Sequence, residues 1–447
     1  MLCKDKPVSH IAEEVGISRQ YSYKLRDKAV SELDHFGHFD SEFENNAYRT
    51  IISIAMHCQA SLEAIQRCLQ DIYGLNMSIG KIENVLQCAA AKAEEINQSI
   101  SLENICQGAN DEIFQGSSPI MAGIDLQSTY TYLLSPSPDR TGETWQIQME
   151  YCKDRGLDLA VSVSDAGSGL LEGIADAFPN ASIQIDLFHV LRDLGREVNK
   201  LDNSACRELE RIEELRARLA GSKPRRKTRQ EYDERLLKIN DLLEQADTVS
   251  ILFGWIRELL GFTGYSTEEV TELCEWILSE MASVVPERKK FLKEIDKFRK
   301  RLPQTISFLR QMYRNMEDYA CQTGLPVEAI RLAYRQRAFS VGSQEHTAIG
   351  KRLWHMLGDK TLLLEKTLFG IISSTMRASS LVENLNSRIR PYINAKKRIG
   401  TWFFPLLQLY INTKKYRRSR KRERIGKSPL ELLTGHPHPD FLDMLEL

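Results

Sequence analysis

The sequence lacks three things that would narrow its class at once. None of its 447 residues falls in an uninterrupted apolar run approaching the ~18 positions a membrane span needs, and Met1–Lys6 has no apolar signal core. This predicts a cytoplasmic protein with no membrane association. The nine cysteines are odd in number, scattered and never spaced Cys-x-x-Cys, which excludes a disulfide framework and a zinc module. Internal repeats and low-complexity tracts are absent, which excludes a solenoid.

Net charge is also nearly missing, at −1, but phosphate binding requires only a local basic surface. Between Lys414 and Lys427 stand Lys414, Lys415, Arg417, Arg418, Arg420, Lys421, Arg422, Arg424 and Lys427 against the single acid Glu423, with Tyr410 and Tyr416 interleaved. The run reads as a DNA-backbone contact or as a solvated linker.

What is present begins with helices. Val8, Ile11, Ala12 and Val15, then Gly16-Ile17-Ser18, then Tyr21, Leu25 and Ala29 describe two short helices around a tight turn, with Gly16 as the permissive residue and Ser18 as N-cap. In a helix-turn-helix the second helix presents Arg19, Gln20, Tyr23 and Lys24 to the major groove; a plain helical hairpin is the other reading. Three more helices are predicted at Glu44–Cys58, Ser61–Tyr73 and Ser78–Ile100, capped by Ser61 and Ser78. They form a second DNA-binding module or a spacer.

After Asp111 the hydrophobic period changes. Ile113-Phe114, Ile120–Leu126 and Thr129–Leu134, punctuated by Gly116-Ser117-Ser118, predict three antiparallel strands. A helix (Glu143 to Arg155), a strand (Leu157–Ser164), a helix (Ser168–Phe178) and a strand (Ser182–Leu187) follow. The order βββαβαβ is that of an RNase H-like core. From His189 to Phe369 the pattern is helical, too long for a loop. It starts with a hairpin whose basic tip is Lys223-Pro224-Arg225-Arg226-Lys227, and its punctuation falls at Gly261, Gly264, Pro286, Pro303 and Gly324-Leu325-Pro326.

The fold class expected is therefore α/β: an RNase H-like mixed-sheet catalytic core split by a large all-α insertion and preceded by all-α helix-turn-helix regions. The domains are 1–35 (helix-turn-helix), 44–103 (tri-helical), 108–190 (first part of the core), 191–370 (insertion), 371–412 (second part of the core) and 413–447 (basic tail).

In such a sheet the first acid lies on the first strand, the second just after the fourth, and the third on the helix behind the fifth strand or any insertion. Carboxylates converging from separate elements suit hard divalent cations in phosphoryl transfer. Asp111, at the start of the first candidate strand, fits the first position, with Asp125 as its rival. Asp165 ends the apolar run Leu159–Ser164 and fits the second. Glu383 is chosen third: on its helix Val382, Leu385, Ile389 and Ile393 form a buried stripe, while Glu383, Ser387 and Arg390 share another face. Ser379 and Ser380 are expected to cap that helix, and Pro391 to end or kink it.

The stretches Ser164-Asp165-Ala166-Gly167-Ser168-Gly169-Leu170, Ala175–Pro179 and Ile185-Asp186-Leu187-Phe188-His189-Val190 resemble the second catalytic block of bacterial insertion-sequence DDE transposases, particularly Mutator-like and related families with an Asp/Cys-x-x-His motif. Asp111 precedes Asp165 by 54 residues and Glu383 follows it by 218, a long interval similar to that of transposases with a helical insertion. Lys427–Leu433 is similar to a recurrent transposase ending. The resemblance covers Asp111 to Leu433. It implies metal binding by Asp111, Asp165 and Glu383, with two Mg2+ (or Mn2+) ions per site, and support near the site from Asp186 and His189. For His189 three roles stay open: a DNA contact, a group orienting the acids, or merely the start of the insertion.

The implied activity is DNA cleavage at element ends and strand transfer by a nucleoid-associated homodimer or larger assembly on double-stranded DNA. Arg390, Lys414, Lys415, Arg417, Arg418, Arg420 and Lys421 would contact that DNA. A catalytically inactive DNA-binding regulator and an RNase H-like nuclease or resolvase are the rival readings.

Overall fold

The computed structural model describes residues 41–221, 226–375, 380–394, 399–419 and 421–446. The expected helix-turn-helix, with Arg19, Gln20, Tyr23 and Lys24, lies outside the described residues, as do Lys223–Arg225 of the basic tip, Ser379 and Arg420. The chain divides into two compact units.

The first unit comprises residues up to Asn97, Pro391–Lys414 and the residues from Pro437. Its N-terminal helices are α1 (Ser41–His57), α2 (Leu62–Tyr73) and α3 (Ile79–Ser99, the last two residues lying beyond the unit boundary). Ser61 caps α2 by accepting from the Ala64 N–H, and Gly74 closes it in the left-handed conformation at φ 65°, which glycine adopts without a Cβ penalty. Ser78 accepts from the Lys81 N–H at 3.2 Å, the expected cap of α3. Ile51, Ile52, Met56, Ile65, Leu69, Ile82 and Leu86 are buried. They occupy the apolar spacing that predicts these helices. The Asn97 amide donates to the Pro405 carbonyl (2.9 Å), and the Tyr410 hydroxyl meets His57 Nδ1 (2.9 Å).

The second unit, Gln98–Arg390 with Lys415–His436, holds a five-stranded sheet. Its strands are β1 (Gln107–Gln115), β2 (Ser118–Asp125), β3 (Thr131–Pro136), β4 (Val161–Ser164) and β5 (Ser182–Ile185). Their order is β3-β2-β1-β4-β5. β1–β2 and β2–β3 are antiparallel, and β1–β4 and β4–β5 are parallel. Gln115 pairs with Ser118, which leaves Gly116-Ser117 as a two-residue hairpin turn. Only Gly116 has positive φ, at 62°, the type II′ pattern with glycine first.

Two further glycines are required by close approach. A Cβ at Gly108 or Gly123 would lie 2.4 or 2.3 Å from the Tyr132 side chain. Tyr132 lies buried there, its hydroxyl donating to Asn110 Oδ1 (2.7 Å) while Asn110 Nδ2 donates to the Ser162 hydroxyl (3.1 Å). This buried chain of polar groups links β3, β1 and β4, and each link is satisfied.

Helices α4 (Gly142–Asp154) and α5 (Ser168–Ala177) alternate with the parallel strands. Trp145 is fully buried and donates its Nε1–H to Glu112 (3.0 Å). Eight helices then run from residue 187 to residue 374: α6 (Leu187–Leu219), α7 (Arg226–Leu259), α8 (Thr267–Val284), α9 (Lys289–Thr305), α10 (Ser307–Thr323), α11 (Val327–Gln336), α12 (Gln344–Leu357) and α13 (Thr361–Ser374). They share one apolar core with the end of β5, from Ile185 and Leu187 through Leu278, Phe291 and Phe308 to Ile371. α6 and α7 form the predicted hairpin, held by Arg235 on both Glu208 oxygens at 2.7 Å. Pro303 does not itself break the helix as expected: it sits inside α9, which ends two residues later. No helix among the described residues is long and apolar enough to cross a membrane.

Candidate active site

The site is built on one row of the sheet. β1 and β4 are parallel with Asn110 opposite Ser164, and β4 and β5 are parallel with Ser164 opposite Ile185. The next residue on each line is an acid: Asp111, Asp165 and Asp186. Sequence reading puts Asp111 at the start of its strand; it lies in the middle, since β1 begins at Gln107. The short apolar stretch hides this, because Gln107 to Asn110 carry little β-branched signal.

Asp111 is buried, at 8 % exposure. Its Oδ1 accepts from the Glu112 N–H (2.8 Å) and its Oδ2 from Asn386 Nδ2 (2.6 Å). Burial pushes its carboxyl up to about 6, and the neighbouring charge of Asp165 adds in the same direction; the two N–H donors and His189 oppose it. Asp165 is half-buried and accepts from the Gly167 N–H at 2.5 Å, so its carboxylate turns back over the start of α5.

Asp186 is almost fully buried and is the N-cap of α6, accepting from the Phe188 N–H at 2.7 Å. An acid there also meets the positive end of the helix dipole. One turn on, His189 stands between two carboxylates. Its Nδ1 is 3.8 Å from Asp186 and its Nε2 is 3.4 Å from Glu383 Oε1. Among the described residues the buried His189 Nδ1 has no hydrogen-bond partner. The histidine is thus packed against the acids Asp186 and Glu383.

Glu383 comes from α14 (Ser380–Asn394). Val382, Leu385, Ile389 and Ile393 are its buried stripe, as the spacing predicts. Ser387 and Arg390, expected to share the working face with Glu383, are exposed, and Ser387 bonds back to the Asn384 carbonyl (2.7 Å). Pro391 neither ends the helix nor follows it; α14 continues to Asn394. The residue that sequence reasoning misses is Asn386, one turn after Glu383 and 2 % exposed. Its signal is an amide among apolar neighbours at helical spacing from the chosen acid.

Asp125, the rival first acid, is three residues from Ala122, the partner of Asp111, so it faces the other side of the sheet. It accepts from the Ser128 N–H (2.7 Å) and hydroxyl (2.5 Å) and closes the β2–β3 turn.

The basic run is partly structural. Lys414 lies in the first unit, over the Tyr410 ring at 5.2 Å. In the second unit Lys415 pairs with Glu431 (3.0 Å), the Tyr416 hydroxyl meets Thr129 Oγ1 (2.7 Å) and Arg424 donates to the Gln127 carbonyl (2.8 Å). Arg417, Arg418, Lys421, Arg422 and Lys427 are exposed.

Among the described residues no three His, Cys, Asp or Glu side chains are gathered closely enough to hold a metal ion. The donors are nevertheless of the right kind: carboxylate oxygens suit hard divalent cations, and a buried acid pushed up beside a second acid is what a cation would relieve.

No curated protein matches the chain. Residues 120–310 match a family described as Transposase, a stretch from the start of β2 into α10 that contains Asp165, Asp186 and His189. Over that stretch, less than half of its length, the chain is similar to insertion-sequence transposases.

Proposed function

We propose that the protein is a DDE transposase with an RNase H-like core, cutting DNA at element ends and joining the freed 3′-hydroxyl to target DNA. The observation that carries this reading is that Asp111 lies near both Asp165 and His189, and His189 Nε2 is 3.4 Å from Glu383, within and beside the stretch similar to transposases. Three antiparallel strands followed by two parallel ones support the RNase H-like assignment, and α6–α13 are its helical insertion.

Asp111, Asp165 and Glu383 would hold two Mg2+ or Mn2+ ions, which when bound neutralise charge at the scissile phosphate and activate the attacking oxygen. The chain's own groups orient and exclude. Asp186 fixes the start of α6, His189 holds Glu383 against that start, and the buried position of Asp111 keeps water from its carboxylate. Double-stranded DNA is the substrate. Arg19, Gln20, Tyr23 and Lys24 read it in the major groove, and Arg390, Lys414, Lys415, Arg417, Arg418, Arg420 and Lys421 contact its backbone. A homodimer or larger assembly brings two ends together.

The test is cleavage and strand transfer of DNA carrying the gene's own flanks, in Mg2+, Mn2+ or EDTA, beside Asp165→Ala and Glu383→Gln. Both variants are expected to bind DNA and to lose roughly 10³-fold or more in cleavage. The second reading, an inactive DNA-binding regulator, has the loose gathering of the acids on its side. Wild-type protein that binds its flanks but cuts in neither metal decides for the regulator.

A further inference from the structure

We infer that Asn386 is a positioning residue of this site, fixing the carboxylate of Asp111 and the register of the Glu383 helix against β1. The inference rests on the active-site reading above. Asp111 has one donor on each oxygen: the Glu112 N–H on Oδ1 and Asn386 Nδ2, at 2.6 Å, on Oδ2. The first comes from its own strand and cannot set its relation to any other element. The second comes from α14, 275 residues away, one turn from Glu383. With both donors in place the plane of the carboxylate is fixed, and so are the directions of its remaining lone pairs.

The fold itself does not ask for an amide here. Asn386 is 2 % exposed beside the apolar stripe of Val382, Leu385 and Ile389, where leucine would extend the packing. Among the described residues its buried Oδ1 has no hydrogen-bond partner, a burden on stability that an apolar side chain would not carry. A group that costs the fold something and donates its amide to the first acid is explained by what it does for that acid. Held this way, Asp111 offers fixed oxygens to a divalent cation at a set height against Glu383, and loss of an outer partner of that kind weakens metal binding and activity by about 10–100-fold.

The experiment compares wild type, Asn386→Leu and Asn386→Asp. Mn2+ binding is read from the free-ion electron paramagnetic resonance signal, thermal unfolding is followed in EDTA, and single-turnover cleavage is measured across DNA concentration. Asn386→Leu is expected to unfold within a few degrees of wild type in EDTA, to bind Mn2+ about 10–100-fold more weakly and to lose a similar factor in cleavage rate, with its half-saturating DNA concentration unchanged. Asn386→Asp keeps the size and replaces the donor by an acceptor; its cleavage rate falls in the same way. Wild-type affinity for Mn2+ in a folded Asn386→Leu, or a wild-type rate in Asn386→Asp, overturns the assignment and leaves the reading of the site intact. Failure of both variants to fold makes Asn386 a structural residue and also overturns it. Wild-type protein that neither binds Mn2+ nor cuts sinks the reading of the site itself.

Discussion

At the scale of single residues the decisive group is Asp111, a buried acid whose proton is held up to about pH 6. Between the ordinary aspartate value of about 4 and that point the folded protein binds more protons than the unfolded chain, so this residue's contribution to stability is present at low pH and lost as pH rises through about 6. Asp111→Asn should therefore stabilise the fold in EDTA at pH 7.5 by about 2–3 kcal/mol, seen as a higher melting temperature, and give no gain below about pH 4. Thermal scans across pH check this; equal melting curves at pH 7.5 would refute it. The same substitution should abolish cleavage. The choice between Asp111 and Asp125 was only half legible in the sequence, because both sit in short apolar stretches with no marker of which face is lined by what. The register puts the two on opposite faces: an odd spacing from Ala122 turns Asp125 away from the side of Asp111. Asp165 was legible because a strand-ending acid before Ala166-Gly167 carries its own local signal. Asn386 was not, since a polar residue on an apolar face reads as noise until its partner across space is known.

At the scale of elements, α9 braces the loop that carries Asp165. Arg301 donates to the Ala166 carbonyl at 3.2 Å, and Asp193 of α6 receives Lys297 at 3.2 Å and Arg301 at 3.9 Å. A helix of the 187–374 stretch thus holds the residue next to Asp165. Arg301→Met should slow single-turnover cleavage on the order of 10–100-fold through misplacement of the acid, with DNA affinity unchanged and partial recovery in Arg301→Lys. A loss confined to DNA affinity would remove the brace from the account. Helices themselves were the readable part of this chain: α1–α3 and the α6–α7 hairpin follow apolar spacing closely. Where punctuation misled, the reason is physical. Pro303 lies two residues before the end of α9 and Pro391 inside α14, and each removes only the bond from its own N–H to the carbonyl four residues back. α15 (Phe403–Thr413), whose residues are all buried except the partly exposed Pro405, shows another limit. A helix apolar all round has no face to read, so the pattern cannot say which unit it completes.

At the scale of the whole molecule the near-neutral charge conceals a segregated surface. The loop from Lys415 to Lys427 is tied to the β2–β3 turn through Tyr416 and Arg424 and closed by the Tyr416–Ile425 bridge, leaving Arg418, Lys421 and Arg422 exposed. Changing these three to alanine should weaken DNA binding at every sequence alike and lower the slope of log affinity against log salt by about 2–3. An unchanged slope in fluorescence anisotropy titrations would take this loop off the DNA. The chain also passes between its two units at residues 97/98, 390/391, 414/415 and 436/437, so neither can be removed by one truncation. The bond between Asp111 and Asn386 spans 275 residues, and closing so long a loop comes late in folding. A ribosome that has finished both aspartates has still to make the whole helical stretch before the glutamate appears. A chain ended before residue 383 would therefore lack the proposed third acid, and any capacity to cut would wait on completion of the helical stretch.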